Sequence, residues 1–319
     1  MIVSISAITG LVALVTAVTV PKLEMTNSLP RSLLESADSQ SAVSPSPVAS
    51  ETAATSEQAP QPGNERIIGG SFAFDGQYPY LASLEMNWGR GTGLCGGTII
   101  ADSVIVTAAH CVMDLDNGSI IRANRISVGV GSVDKSRQRF VRGSAVYVHP
   151  RFDPNDIIND IAVIVTSSMG VGNGNVQRIP VYGGDISPGT RLTALGWGQT
   201  GTNPNIDSTT NRLKHADIVV GMRNDCSRFI RGYESSNGPQ ICTENRFLLG
   251  DDTCQGDSGT GVVINANGRQ YLAGFTSYGA NLRGDPTCAL NDGFGVYTHV
   301  NYYLGFISSV TGIPAGNFR

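Results

Sequence analysis

Short apolar or alternating runs recur from Ile67 onward: YLASLEM, GGTIIADSVIVTAA, RISVGVGS, DIAVIVTSS, TRLTALGWG, ADIVVG, TGVVINAN, QYLAGFTSY and FGVYTHV. Gly, Asn, Asp and Pro separate them. Runs of this length between turn residues predict antiparallel strands folded into sandwiches or barrels. The Gly-rich stretch SSMGVGNGNVQRIPVYGGD, residues 167–185, divides them into two sets of similar extent. Helical spacing shows only from about Asn301 to Thr311, where Tyr303, Leu304, Ile307 and Val310 share one face. No period of a solenoid or propeller stands out.

Upstream the texture changes twice. Residues 2–20 form an apolar run without a charge, interrupted by Ser and Thr, and Val15-Thr16-Ala17 offers small residues for cleavage. This predicts a secretory signal over residues 1–17. The run is also almost long enough to cross a bilayer, which leaves a retained anchor as the alternative. Residues 18–66 are rich in Ser, Ala, Pro and Glu, with no aromatic residue and no cysteine. Such a segment cannot bury enough apolar surface to offset its ordering entropy, so it is expected to stay unstructured as a pro-segment or linker.

Apolar residues make up 40% of the chain and charged ones 15%, with a net charge of −4. No Lys/Arg cluster marks a nucleic-acid or acidic-membrane surface, and neither partner is expected for the mature protein. The six cysteines are Cys95, Cys111, Cys226, Cys242, Cys254 and Cys288, all beyond Ile67. An even count behind a signal-like segment points to disulfides in an oxidising compartment, hence a secreted, extracellular protein. Zinc is the weaker alternative, because no CxxC pair occurs and the chain has only four histidines.

Three stretches carry candidate chemistry. VTAAHC places His110 before Cys111, NDIAVIV places Asp160 at the mouth of an apolar run, and CQGDSG places Ser258 among glycines. A serine hydroxyl needs an adjacent base to become a nucleophile. Histidine can take and return a proton near neutral pH. A carboxylate then fixes the imidazole tautomer. Together with RIIGG at 66–70 and CGGTII at 95–100, these motifs resemble the trypsin/chymotrypsin-like serine proteases across essentially all of 67–319. The order His, Asp, Ser separates this family from serine proteases on other folds.

The resemblance implies an all-β fold of two packed antiparallel six-stranded barrels with a C-terminal helix, and a monomer needing no cofactor or metal. It implies Ser258 as nucleophile, His110 as general base and acid, and Asp160 as orienter. Gly256 and Ser258 would supply the oxyanion donors. Asp252, two residues before the Cys of CQGDSG, would form the floor of a pocket for Arg or Lys. Ser277, Tyr278 and Gly279 would line one wall, and Gly295 the other. Substrates would be proteins or peptides with Arg or Lys before the cut bond, and protein protease inhibitors are further expected partners. Cleavage between Arg66 and Ile67 would create an ammonium that pairs with Asp257, completing the site. The implied disulfides are Cys95–Cys111, Cys226–Cys242 and Cys254–Cys288.

Several positions depart from the family pattern. GDSGTG replaces the usual GDSGGP, with Thr260 and Gly261 beyond the serine, and Tyr278 stands where Trp is usual. The loop ANLRGDPT, residues 280–287, is longer than in trypsin, and the segment after VGVGS lacks an acidic cluster for calcium. Asn117-Gly118-Ser119 is an N-glycosylation sequon or an ordinary turn. Arg283-Gly284-Asp285 spells an adhesion tripeptide but is read as a turn, and Asp251 as a solvated or hydrogen-bonded loop acid. His149, His215 and His299 are read as structural or exposed.

Overall fold

The computed structural model describes residues 70–199, 210–248 and 252–319. The chain divides into units of residues 1–57 and 58–319, and every described residue belongs to the second. The expected signal and pro-segment, the Arg66–Ile67 bond and Asp251 lie outside the described residues.

Strand β1 (Ser71–Phe72) is followed by β2 (Leu81–Asn87), β3 (Thr92–Ala101), β4 (Val104–Thr107), the single-turn α1 (Ala109–Val112), β5 (Ile126–Val130), β6 (Arg139–Val148) and β7 (Ala162–Thr166). Strands β2 to β7 close into a barrel in the order β2-β3-β4-β7-β6-β5. Residues Leu84, Met86, Ile105, Ile126, Val128 and Val163 are buried in its core. The run GGTIIADSVIVTAA folds as the β3–β4 hairpin, which turns at Asp102 and Ser103.

Beyond residues 167–190 come β8 (Arg191–Gly196), β9 (Lys214–Val219), α2 (Arg223–Phe229), β10 (Gln240–Glu244), β11 (Gly261–Ala266), β12 (Arg269–Asn281) and β13 (Gly293–His299). With β1 they form a sheet ordered β1-β9-β8-β11-β12-β13-β10. An isolated bridge between Val220 and Thr243 joins the β9 end to β10, so six strands curl back on themselves. Leu192, Ala194, Ile218, Ile241, Val262 and Tyr297 form this half's own apolar cluster. Helix α3 (Leu304–Thr311) continues a 3-10 turn at Val300–Tyr303. Tyr303, Leu304 and Ile307 pack it into the larger core. Gly312, at φ 70°, ends it in the left-handed conformation that glycine tolerates.

Strands β1, β6 and β10 and the short helices α1 and α2 are absent from the sequence reading. Strand β6 carries Arg, Ser and Gly, and its burial alternates only in part, so it gives no clear apolar run. Helix α2 has seven residues, of which only Cys226 is buried, too short to display a helical period. The disulfide Cys226–Cys242 fastens it to β10. The other two disulfides are Cys95–Cys111, between β3 and α1, and Cys254–Cys288. Among the described residues, no helix is long and apolar enough to cross a membrane.

Candidate active site

Helix α1 follows the buried strand β4 directly and carries His110 to the seam between the two halves. Disulfide Cys95–Cys111 ties that turn to β3. Its sulfurs approach His110, with Cys111 Sγ at 3.9 Å from Nε2, but they are committed to the disulfide rather than to a metal. Asp160 enters β7 from a tight turn whose residues Ile157 and Asn159 have φ of 49° and 56°. The Tyr303 hydroxyl donates to Asn159 Oδ1 at 3.1 Å, bracing that turn from the C-terminal side.

The Asp160 side chain is 1% exposed. Its Oδ1 accepts the His110 backbone N–H at 3.0 Å, and its Oδ2 lies 2.8 Å from His110 Nδ1. The Ser277 hydroxyl donates to Oδ2 at 2.6 Å, and the Thr298 hydroxyl donates to the Asp160 carbonyl at 2.8 Å. Ser277 lies on β12 and Thr298 on β13, so the second half of the molecule grips an acid from the first. An ionised carboxylate only accepts, so Nδ1 carries the proton and Nε2 is left as the basic nitrogen. Burial lowers the His110 pKa, but the Asp160 charge and hydrogen bond outweigh it and hold it above the ordinary value. Burial raises the Asp160 pKa, and the His110 and Ser277 contacts reverse this to a net lowering.

Ser258 lines the same hollows as His110. Its carbonyl accepts the Gly96 N–H at 2.8 Å, and Gly259 N–H donates to the Thr276 carbonyl at 2.7 Å. Gly256 and Gly259 have φ of 93° and 75°, so the loop turns through conformations that favour glycine. At Gly259 a Cβ would also lie 2.6 Å from the Gly96 carbonyl oxygen. Thr260 is fully buried, and its side chain occupies the space left by the missing side chain of Gly96. The departure from GDSGGP is thereby seated at the junction of the two halves.

His110, Gln255 and Ser258 line two adjoining hollows. The first, of about 330 Å³, is bounded by Ser277, Tyr278 and Gly279 on one side and by Cys288, Gly293 and Phe294 on the other, with Asp252 inside it. Gly295 is not among its lining residues. It pairs with Thr243 across β10 and β13, and a Cβ there would lie 2.7 Å from the Tyr297 hydroxyl. The second hollow, holding Gly256, is flanked by Trp88, Leu94 and Leu115.

Asp252 is buried, and its Oδ2 accepts from Asn245 Nδ2 and from Ala289 N–H, each at 2.8 Å. Burial still pushes its pKa up, against the lowering from Ala289, Asn245 and Thr253. Asp257 is completely buried and accepts from Gly198 N–H at 2.7 Å and Cys254 N–H at 2.9 Å. A side chain at Gly196 or Gly198 would collide with it. Burial pushes its pKa up to about 7 despite both donors.

The remaining motifs fall elsewhere. His149 packs its ring edge-on against Phe306, with centroids 4.9 Å apart. His215 lies beside Tyr78, and the buried His299 donates from Nδ1 to the Gly238 carbonyl at 2.9 Å. Arg283 is paired with Asp292 at 3.0 Å, and Asp285 accepts from Thr287 N–H at 3.0 Å, so the tripeptide is a closed turn. Asn117 is exposed, and its Nδ2 donates to Asp114 at 3.1 Å. Sequence reasoning missed Asn245, Ala289, Gly198 and Thr298, which act by a buried amide, by backbone N–H groups and by a hydroxyl, and carry no motif.

Paired β halves, and a carboxylate-bound histidine that lines the same hollows as a serine, define the class: a serine endopeptidase. The family model described as Trypsin matches residues 67–307. "Trypsin Blo t 3" of Blomia tropicalis is 34% identical over 258 residues, covering 78% of this chain and 86% of that protein. "Anionic trypsin" of Canis lupus familiaris is 31% identical over 258 residues, covering 78% and 91%. "Trypsin-3" of Salmo salar is 31% identical over 252 residues, covering 77% and 93%. The chain belongs to the trypsin family, and its substrates are proteins or peptides.

Proposed function

We propose that this endopeptidase is made as a secreted zymogen and cuts peptide bonds after Arg or Lys through an acyl-enzyme. The observation that carries the reading is the hydrogen-bonded chain Ser277–Asp160–His110 set beside Ser258, with Asp252 buried in the adjoining hollow. Residues 1–17 act as the signal, 18–66 as the pro-segment and 67–319 as the peptidase. The apolar run at 2–20 and three disulfides support passage through an oxidising compartment. Asn117 is exposed enough to accept a glycan there.

Ser258 Oγ attacks the substrate carbonyl carbon while its proton passes to His110 Nε2. Asp160 holds the resulting imidazolium by its Nδ1–H. The N–H groups of Gly256 and Ser258 receive the oxyanion. The C–N bond then breaks, His110 returns the proton to the leaving amine, and the acyl group stays on Ser258. Water, deprotonated by His110, attacks that ester and releases the acid. The cation of Arg or Lys sits against Asp252, whose burial makes an approaching positive charge favourable.

Asp252→Ser tests the specificity. A charge-assisted contact contributes about 1.5–3 kcal/mol, and stranding the substrate cation in the hollow adds to the loss. Activity on Arg and Lys substrates is expected to fall at least about 100-fold relative to Phe and Ala substrates. The measurement is kcat/KM on matched esters of the four residues. An unchanged preference would move the determinant away from Asp252, towards the 280–287 loop.

A further inference from the structure

Asn245 is required by none of the chemistry above, yet it is buried at 4% exposure against the acid in the hollow. It opens a 3-10 turn, Asn245–Phe247, at the end of β10. Its Nδ2 donates to Asp252 Oδ2 at 2.8 Å and to the Leu290 carbonyl at 3.2 Å. Both partners are acceptors only, which fixes the orientation of the amide. Gly293 leaves room for it, since a Cβ there would lie 2.7 Å from Nδ2. Next along the turn, Arg246 pairs with Glu244 at 2.6 Å and with Asp225 of α2 at 2.7 Å. The amide is held where it is.

Ala289 donates to the same oxygen at 2.8 Å, from a left-handed backbone with φ 59° that a Cβ-bearing residue seldom adopts. A carboxylate oxygen offers about two lone-pair sites. Oδ2 therefore spends both on Asn245 and Ala289, and the Thr253 backbone N–H binds the same carboxylate, so the capacity left for a substrate lies on Oδ1. A guanidinium presents a planar fork that matches both oxygens of a carboxylate, whereas an ammonium is a point charge that one oxygen can meet.

We infer that Asn245 is a specificity-determining residue that denies Arg its two-oxygen dock, so that the hollow accepts Lys as well as Arg or better. This rests on the proposed preference for basic substrates and sharpens it. A carboxylate with both oxygens open would favour the fork. The Asn245 amide, together with the turned peptide of Ala289, levels the two.

The test compares kcat/KM of the processed protein on peptide amides that differ only in Arg or Lys before the cut bond. The wild-type ratio of Arg to Lys is expected to lie within about threefold of one, or to favour Lys. Asn245→Ala reopens one lone pair on Oδ2, and the ratio is expected to rise about tenfold, as for one added charge-assisted hydrogen bond. Both substrates are measured on one preparation, so the ratio is independent of the folded fraction. Should the variant not fold, competitive inhibition of the wild type by an alkylguanidine and an alkylamine of equal length decides. Comparable inhibition supports the inference. A wild-type preference for Arg or for the guanidine of more than about tenfold, or a ratio unmoved by Asn245→Ala, overturns it. Cleavage of Phe or Ala substrates with neither basic one accepted would instead overturn the basic specificity itself.

Discussion

Asp160→Asn is expected to lower kcat by about 10⁴-fold while leaving KM and the fold nearly unchanged, the size of effect associated with this substitution in a Ser-His-Asp triad. The contacts explain why. The carboxylate accepts three hydrogen bonds, from His110 N–H, His110 Nδ1–H and the Ser277 hydroxyl. An amide offers one oxygen and one donor group in the same footprint. If its NH₂ faces Nδ1, the imidazole proton moves to Nε2, and the nitrogen nearest the serine can no longer act as base. If its oxygen faces Nδ1, the NH₂ meets the His110 backbone N–H, donor against donor. Either arrangement removes the negative charge that stabilises the imidazolium.

The pH profile gives a second readout. In the wild type the Asp160 charge overrides burial and holds the His110 pKa above the ordinary 6.5. The base must be neutral, so activity is expected to rise with pH through a midpoint above that value. Without the charge, burial is left in command and the midpoint of the residual activity should fall below it. Near-normal kcat in Asp160→Asn, or an unmoved acid limb, would remove Asp160 from the role of orienter.

The candidate triad was legible because each candidate sits in a short motif whose residue types the chemistry demands: His110 beside a cysteine, Asp160 before an apolar strand, Ser258 between glycines. Asp252 and Asp257 were legible by their offsets from Cys254 and Ser258. What surrounds them was not. Asn245 lies seven positions from Asp252 along the chain and Ala289 lies 37, and both act as hydrogen-bond donors that no side-chain pattern announces. Gly198 reaches Asp257 across 59 positions through its backbone N–H. Thr260 looked like a departure, and only the packing shows Gly96 of β3 making room for it. In the same way β6 hid because a barrel strand can keep most of one face in water, and α2 because seven residues and a disulfide suffice to hold it. Contacts across the two halves are long-range facts, and local pattern carries little of them.

Arg66→Gln is expected to leave a protein that activators cleaving after Arg cannot process, with activity on peptide substrates reduced at least about 10³-fold. Each oxyanion donor is worth about 10²–10³ in kcat, and the zymogen reading places both in an incompletely formed loop before the cut. The reason lies at Asp257. It is fully buried, and two backbone donors leave its pKa at about 7, well above the ordinary carboxylate range. A buried acid in that condition gains strongly from a cation beside it. On the zymogen reading, cutting after Arg66 would supply the Ile67 ammonium for this purpose. The two forms should then respond to pH in different windows. In the uncut protein the folded pKa of Asp257 is raised, so its contribution is fully present below the unfolded value near 3.9 and is lost as pH rises towards 7. In the cut protein the pair lowers the acid's pKa and raises that of the amine. The stability it adds is fully present between the acid's unfolded value near 3.9 and the free amine's 7.7–8.0; it fades as pH falls through the lowered acid value and disappears as pH climbs through the raised amine value. Thermal melting of the Ser258→Ala protein from pH 4 to 10, before and after cleavage, reads both slopes without self-digestion. Full activity of uncut Arg66→Gln would refute the zymogen reading. An identical pH slope in the two forms would leave Asp257 without the ammonium partner on which that reading depends.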